Sequence, residues 1–417
     1  MSPQIFEKIF IAALLASILL KLWLAVRHIR HIQARRDSIP EDFRKRISIE
    51  DHRKAADYTS SKTGAGFASD LVEALAVLGL TLGGGLNMLD SFWSGHVANP
   101  ILEGMLLIAS AVLILETLEL PVALYSTFVI EARYGFNKMT LKLFVLDALK
   151  KGILGALFGF PLIAFILWLM AEMGERWWLD VWFAWMAFNL FILAVYPTWI
   201  APVFNKFKPL EESSMKKRIE HLLEKCGFKS DGLFVMDGSR RSSHGNAYFT
   251  GFGKTKRIVF FDTLLSNLDE AEVEAVLAHE LGHFMHRHVI KRIVLSFVLS
   301  LVFLWVLGYV RGQAWFFDGL NAEIHSDAMA LLLFFMVVPS FTFLLKPLLS
   351  FYSRRNEFEA DDYAAKQSDA EHLARALTKL YQESAKTLTP DPLYSVFYDS
   401  HPPASIRIAH LRKAMHN

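Results

Sequence analysis

The sequence predicts a mainly α, polytopic membrane protein: seven transmembrane helices and a cytoplasmic α+β domain with a small β-meander. Three observations lead there. Of the 417 residues 53% are hydrophobic and mean hydropathy is +0.30, beyond ordinary globular content. Seven apolar runs each reach the roughly 20 helical residues that a hydrocarbon core demands. Residues 204–290 and 351–417 are charged and mixed in pattern, as soluble segments are. A net charge of +2, with no interleaving of aromatic and basic residues, gives nucleic-acid binding no support. The single cysteine, Cys226, excludes an intrachain disulfide framework and a cysteine-based zinc site.

The spans are expected near 5–26, 67–89, 101–125, 152–173, 178–199, 293–311 and 328–350. No small-residue cleavage site follows the first run, so it reads as an anchor and not as a removable signal. Four parts follow: a membrane domain of five spans (1–203), a first soluble part (204–290), two further spans (291–350) and a second soluble part (351–417). Loop charge sets the orientation. Segment 27–66 holds ten Lys/Arg and 131–151 holds five, whereas 90–100 and 312–327 hold none. The N-terminus is therefore expected outside, with the C-terminus and both soluble parts in the cytoplasm. Asp70, Glu73, Glu116 and Glu119 fall within the second and third spans. Their cost in lipid turns them toward the bundle interior or a water-filled cavity.

In the first soluble part, 211–226 is patterned as an amphipathic helix closed by Gly227. Strands are expected at 233–236, 246–252 and 256–262, with Gly251 to Lys254 as the turn between the last two. A long helix is expected from Asn267, which can cap it, and it runs on toward the sixth span. The second soluble part reads as helices at 355–368 and 370–386, then His401-Pro402-Pro403 and a final helix.

The chemistry is concentrated in His279-Glu280-Leu281-Gly282-His283. Residues four apart share a helix face, so both imidazoles can reach one metal ion. Glu280 sits about 100° round from His279, beside the metal, where a carboxylate can take a proton from water. Zinc with two histidines, a third ligand and an open position is a hydrolytic site. A third histidine in the spacing His-x-x-Gly-x-x-His is excluded, because 286 and 289 are His286 and Val289. The better third ligand is Glu357, 74 residues beyond His283. Asp361 shares its face and suits a hydrogen bond to the outward nitrogen of a ligating histidine. Glu359 points about 200° away and reads as a surface charge.

These residues, with His401-Pro402-Pro403-x-x-x-Arg407 and the stretches Ser242 to Phe249 and Pro202 to Phe207, resemble the type I CAAX prenyl proteases. Members are seven-span zinc endopeptidases that process the C-terminal tails of isoprenylated proteins. The resemblance implies one Zn2+ per chain on His279, His283 and Glu357, with Asp361 behind a ligand and Glu280 as general base. It also implies His401 and Arg407 as donors to the tetrahedral oxyanion. The strand Asn246, Ala247, Tyr248 onward would bind an extended peptide by edge pairing. Implied partners are the bilayer and a peptide or protein substrate, C-terminally prenylated in the family's usual case. The tail Leu411 to Asn417 lacks a dilysine retrieval signal, which leaves both a bacterial inner membrane and an endoplasmic reticulum open. Two other readings stand beside this one: a quality-control zinc endopeptidase of the heat-shock type, and a non-catalytic transporter or channel with a zinc-stabilised domain. A purely structural zinc site, however, has no use for Glu280.

Overall fold

A computed structural model describes residues 1–250 and 256–414. The expected turn from Gly251 to Lys254 lies outside the described residues. Helix α1 (Pro3–Gln33) starts behind Ser2 and α2 (Ile49–Leu80) behind Ser48, each hydroxyl oxygen accepting a first-turn amide. The short α3 (Gly85–Ser94) precedes α4 (Pro100–Tyr125), which is capped by Asn99 and continues through a wider turn to Glu131. Then come α5 (Leu141–Glu172), α6 (Trp177–Val195) and the single turn α7 (Ala201–Phe204). Among the described residues, seven helical stretches are long and apolar enough to cross a membrane, as expected. The second is displaced from its expected place at 67–89. Its helix ends at Leu80 because Gly83, Gly84 and Gly85 follow, and Gly84 adopts φ 76.

The soluble elements begin with β1 (Phe207–Pro209), which was not foreseen, and α8 (Ser214–Lys225). Gly227 at φ 64 closes α8 as expected. Strands β2 (Leu233–Met236), β3 (Ala247–Thr250) and β4 (Arg257–Phe261) match the three expected runs. They do not form a simple meander. The order is β1-β2-β4-β3, with β2 and β4 parallel and β3 at an edge. Next are α9 (Asp262–Asn267) and α10 (Glu270–Met285). Asn267 ends α9 and does not cap α10; Asp269 caps it, in a reciprocal box with Glu272. The remaining helices are α11 (His288–Arg311), α12 (Ala314–Asp318), α13 (Asp327–Thr342), α14 (Lys346–Gln367), α15 (Ala370–Glu383), α16 (Pro392–Tyr398) and α17 (Ala404–Ala414).

The spans form a closed ring, α1-α2-α4-α5-α6-α11-α13 and back to α1. Its apolar core collects at one end: Phe6 and Phe10 from the start of α1, Val77 and Leu80 from the end of α2, Leu307 and Val310 from the end of α11. Here α4 and α13 approach closely, since a Cβ on Gly104 would stand 2.8 Å from that of Ala328. The soluble domain sits at the other end, where Arg27 of α1 hydrogen-bonds Asp391 at 3.0 Å and His28 stacks on Tyr394. Its own core joins α8, β4, α10, α15 and α17 through Leu222, Phe260, Leu277, Leu377 and Ile408. Of the acids within the spans, Asp70 pairs with Lys21 at 2.6 Å and Glu119 accepts from Ser69 at 2.6 Å. Glu73 and Glu116 are exposed.

Candidate active site

The most extensive contact between any two elements is α10 against α14. Gly282 makes it possible: a Cβ there would lie 2.8 Å from the Ala360 Cα and 3.0 Å from its carbonyl oxygen. With the two backbones touching, His279 and His283 from α10 face Glu357 and Asp361 from α14. The His279 and His283 Nε2 atoms approach Glu357 at 3.5 and 3.3 Å. The His279 Nδ1 is 2.9 Å from Asp361, so the outward nitrogen meets the carboxylate expected for it.

One ligand atom from each of His279, His283 and Glu357 falls within 4.8 Å of the others. The Glu357 Oε2 is sealed from solvent and makes no hydrogen bond. Positive charge must offset a carboxylate kept this dry; the Arg407 Nη1 at 3.3 Å supplies part of it, and a cation held by the trio would supply the rest. The donor set of two imidazoles and one carboxylate fits zinc. Burial and the Arg407 guanidinium push the His279 imidazole down, yet bonds to Asp361 and Glu357 outweigh them and lift it to about 9. Glu280 flanks the set, and burial pushes its carboxyl up against the opposing pull of His279 and His283. A carboxylate of raised proton affinity suits a general base.

Two expectations are revised. Arg407 was expected beside His401 as an oxyanion donor, but it is buried behind the ligands. Its Nη2 and Nε grip Asp361 at 2.6 and 2.8 Å, and its Nη1 lies 3.3 Å from Glu357. With Nε and Nη2 engaged on Asp361, it lies behind the ligands and away from the open side of the site. His401 keeps the freedom that role requires: more than half exposed, its Nε2 is 3.3 Å from Glu357 and its Nδ1 2.9 Å from the Ser400 hydroxyl. Glu359, expected on the surface, and His288 both reach the site. The His283 Nδ1 meets the His288 Nδ1 at 2.9 Å, and the His288 Nε2 meets Glu359 at 3.1 Å. No sequence signal marked this. The helix breaks at Arg287, a non-glycine residue at φ 56, instead of running on into α11.

A cavity of about 870 Å³ opens beside Glu280, His283 and His401 and continues between Phe303 of α11 and Phe335 of α13. Tyr248 and Phe249 of β3 line it too. Of the other strand residues, Ala247 is buried opposite Phe260. Asn246, just ahead of the strand, is exposed, and its side-chain oxygen accepts the Ala247 amide.

Residues 28–206 match the family description "CAAX prenyl protease N-terminal, five membrane helices", and residues 209–415 match peptidase family M48. The CAAX prenyl protease 1 homolog of Arabidopsis thaliana is 36% identical over 87% of this chain and 87% of its own length. The Homo sapiens homolog is 31% identical over 97% of this chain and 96% of its own. The crystal structure of S. mikatae Ste24p shares the fold with a TM-score of 0.91 at 27% identity, covering 97% of this chain and 99% of that one.

Proposed function

We propose, from the premise that this chain belongs to peptidase family M48 with the CAAX prenyl protease N-terminal region, that it cleaves the C-terminal tails of prenylated proteins with zinc held by His279, His283 and Glu357. The chain is an integral-membrane metalloendopeptidase of the CAAX prenyl protease kind. That membership sets aside the transporter reading. When bound, zinc supplies Lewis-acid activation of water and of the scissile carbonyl. Glu280 accepts the proton of the attacking water and returns it to the departing amine nitrogen. His401, steadied by Ser400, donates toward the oxyanion from the open side of the site. Asp361 and Arg407 fix His279 and Glu357 from behind. Strand β3 supplies an edge for an extended peptide, with Tyr248 and Phe249 lining the cavity and Asn246 exposed just ahead of the strand.

The observation that carries the prenyl reading is the cavity itself. Glu280 and His401 share its lining with apolar side chains of two membrane helices, among them Leu299 and Phe303 of α11 and Leu331 and Phe335 of α13. Burying three or four isoprenoid carbons is worth about 3 kcal/mol, on the order of a hundredfold. A farnesylated CAAX peptide is therefore expected to exceed its unprenylated twin in kcat/KM by about that factor. Equal values would overturn prenyl recognition and leave endopeptidase activity in place. The basic loops support an outside N-terminus and a cytoplasmic protease domain.

A further inference from the structure

We infer that His288, backed by Glu359, is a positioning pair that fixes which nitrogen of His283 faces the metal; this rests on the ligand set proposed above. The His283 Nε2 faces Glu357 at 3.3 Å, so its Nδ1 is turned away and meets the His288 Nδ1 at 2.9 Å. Two ring nitrogens at that distance share one hydrogen. For the Nε2 of His283 to offer its lone pair to a cation, its Nδ1 must carry the proton and donate to His288. His288 then bears its own proton on Nε2, which faces Glu359 at 3.1 Å. Every donor in the chain has one acceptor. The second Glu359 oxygen accepts from Arg355 at 3.2 Å, which steadies the carboxylate at the outer end. His288 is only 5% exposed, so water is poorly placed to substitute. His279 has the same arrangement with one link fewer, Asp361 accepting directly from its Nδ1.

The backbone is shaped for this contact. On an uninterrupted helix, His288 would sit about 140° round from His283 and could not touch it. Arg287 at φ 56 ends one helix and starts the next, folding His288 back onto the ligand. A left-handed non-glycine residue costs about 1–2 kcal/mol, and the turn it makes aims this side chain.

His286, His288 and Glu359 also lie close enough to hold a cation of their own. Proton placement argues against that. A cation on the His288 Nε2 would drive the proton to its Nδ1, and the proton of His283 onto Nε2, removing that lone pair from the first site. The two sites compete for neutral rings, and the first has the buried donors whereas His286 is exposed.

The test is zinc affinity of the full-length protein in detergent, by competition with a chromogenic chelator, with bound zinc counted by elemental analysis. His288→Leu is expected to weaken zinc by about 10- to 100-fold, the usual effect of an outer partner, and to shift the visible bands of the cobalt-substituted protein. His288→Asn should recover most of the loss, because its amide oxygen can accept in the Nδ1 position. Glu359→Ala should weaken zinc several-fold; being partly exposed, it carries the test if His288→Leu fails to fold. His283→Ala should abolish tight binding. Wild-type affinity in both His288→Leu and Glu359→Ala, with His283→Ala dead, would sink the pair and spare the ligand set. Wild-type affinity in His283→Ala would sink the ligand set instead. No recovery in His288→Asn would reduce His288 to packing. Two zinc ions per wild-type chain, one lost in His288→Leu with the tight one unchanged, would make this a second cation site and overturn the inference.

Discussion

Glu280 and Arg407 border the same three ligands from opposite sides, and their surroundings give them opposite tasks. Glu280 opens on the cavity and its carboxyl is pushed up by burial, so it can exchange protons with something that enters. Arg407 is locked onto Asp361 by two hydrogen bonds, out of reach of a substrate. Two substitutions separate these tasks. Glu280→Gln keeps size and shape but cannot accept a proton, so bound zinc should stay at wild-type level while turnover falls by about 10²- to 10⁴-fold. Arg407→Lys keeps the charge but cannot bridge both Asp361 oxygens, so zinc affinity should fall by about tenfold. Elemental analysis and peptide cleavage on one preparation read both effects. Zinc at wild-type affinity in Arg407→Lys, with a slower rate alone, would return Arg407 to the oxyanion.

Among elements, the α10–α14 crossing decides whether there is a site at all. Gly282 has two opposing consequences. Alanine is the better helix former by about 1 kcal/mol, and on an isolated helix Gly282→Ala would stabilise. Here the new methyl would meet backbone atoms of Ala360 that cannot rotate aside, and overpacking of that kind costs about 1–3 kcal/mol. The crossing should win. Gly282→Ala is expected to lower both Tm and zinc affinity, the latter by tenfold or more as Glu357 moves off the histidines. A raised Tm with unchanged zinc would show that the helices do not touch there. Both halves of the site were legible because each is a local i, i+4 pattern: His279 with His283, and Glu357 with Asp361. Their meeting was inferred from chemistry, since nothing in either half specifies its partner helix. The contact between His288 and Glu359 was not foreseen, because it depends on a left-handed Arg287, a conformation that glycine advertises and arginine does not. Sheet order was hidden for a related reason: strand patterning marks β2, β3 and β4 but not which edges pair. The start of α10 was misjudged by two residues because Asn267 and Asp269 are both capable caps.

At the scale of the whole molecule, the closed ring makes orientation a single all-or-none choice. Basic residues flank alternate ends of the spans, so one inverted helix would put several charges on the wrong side. In protein freed of Cys226, a reagent that cannot cross membranes is expected to label Ser94→Cys in intact cells, and Ser368→Cys only after permeabilisation. The reverse pattern would invert the topology and place the protease domain outside. The ring has another consequence, this one in time. Between His283 and Glu357 the chain contains α11 and α13, and both must be threaded into the bilayer before α14 can come back to meet α10. A growing polypeptide displays His279 and His283 before the carboxylate that completes the trio, and the arginine that secures it, have been translated. Until α14 has been made and seated against α10, the trio of ligands cannot assemble, and the two histidines alone lack the carboxylate that completes the site.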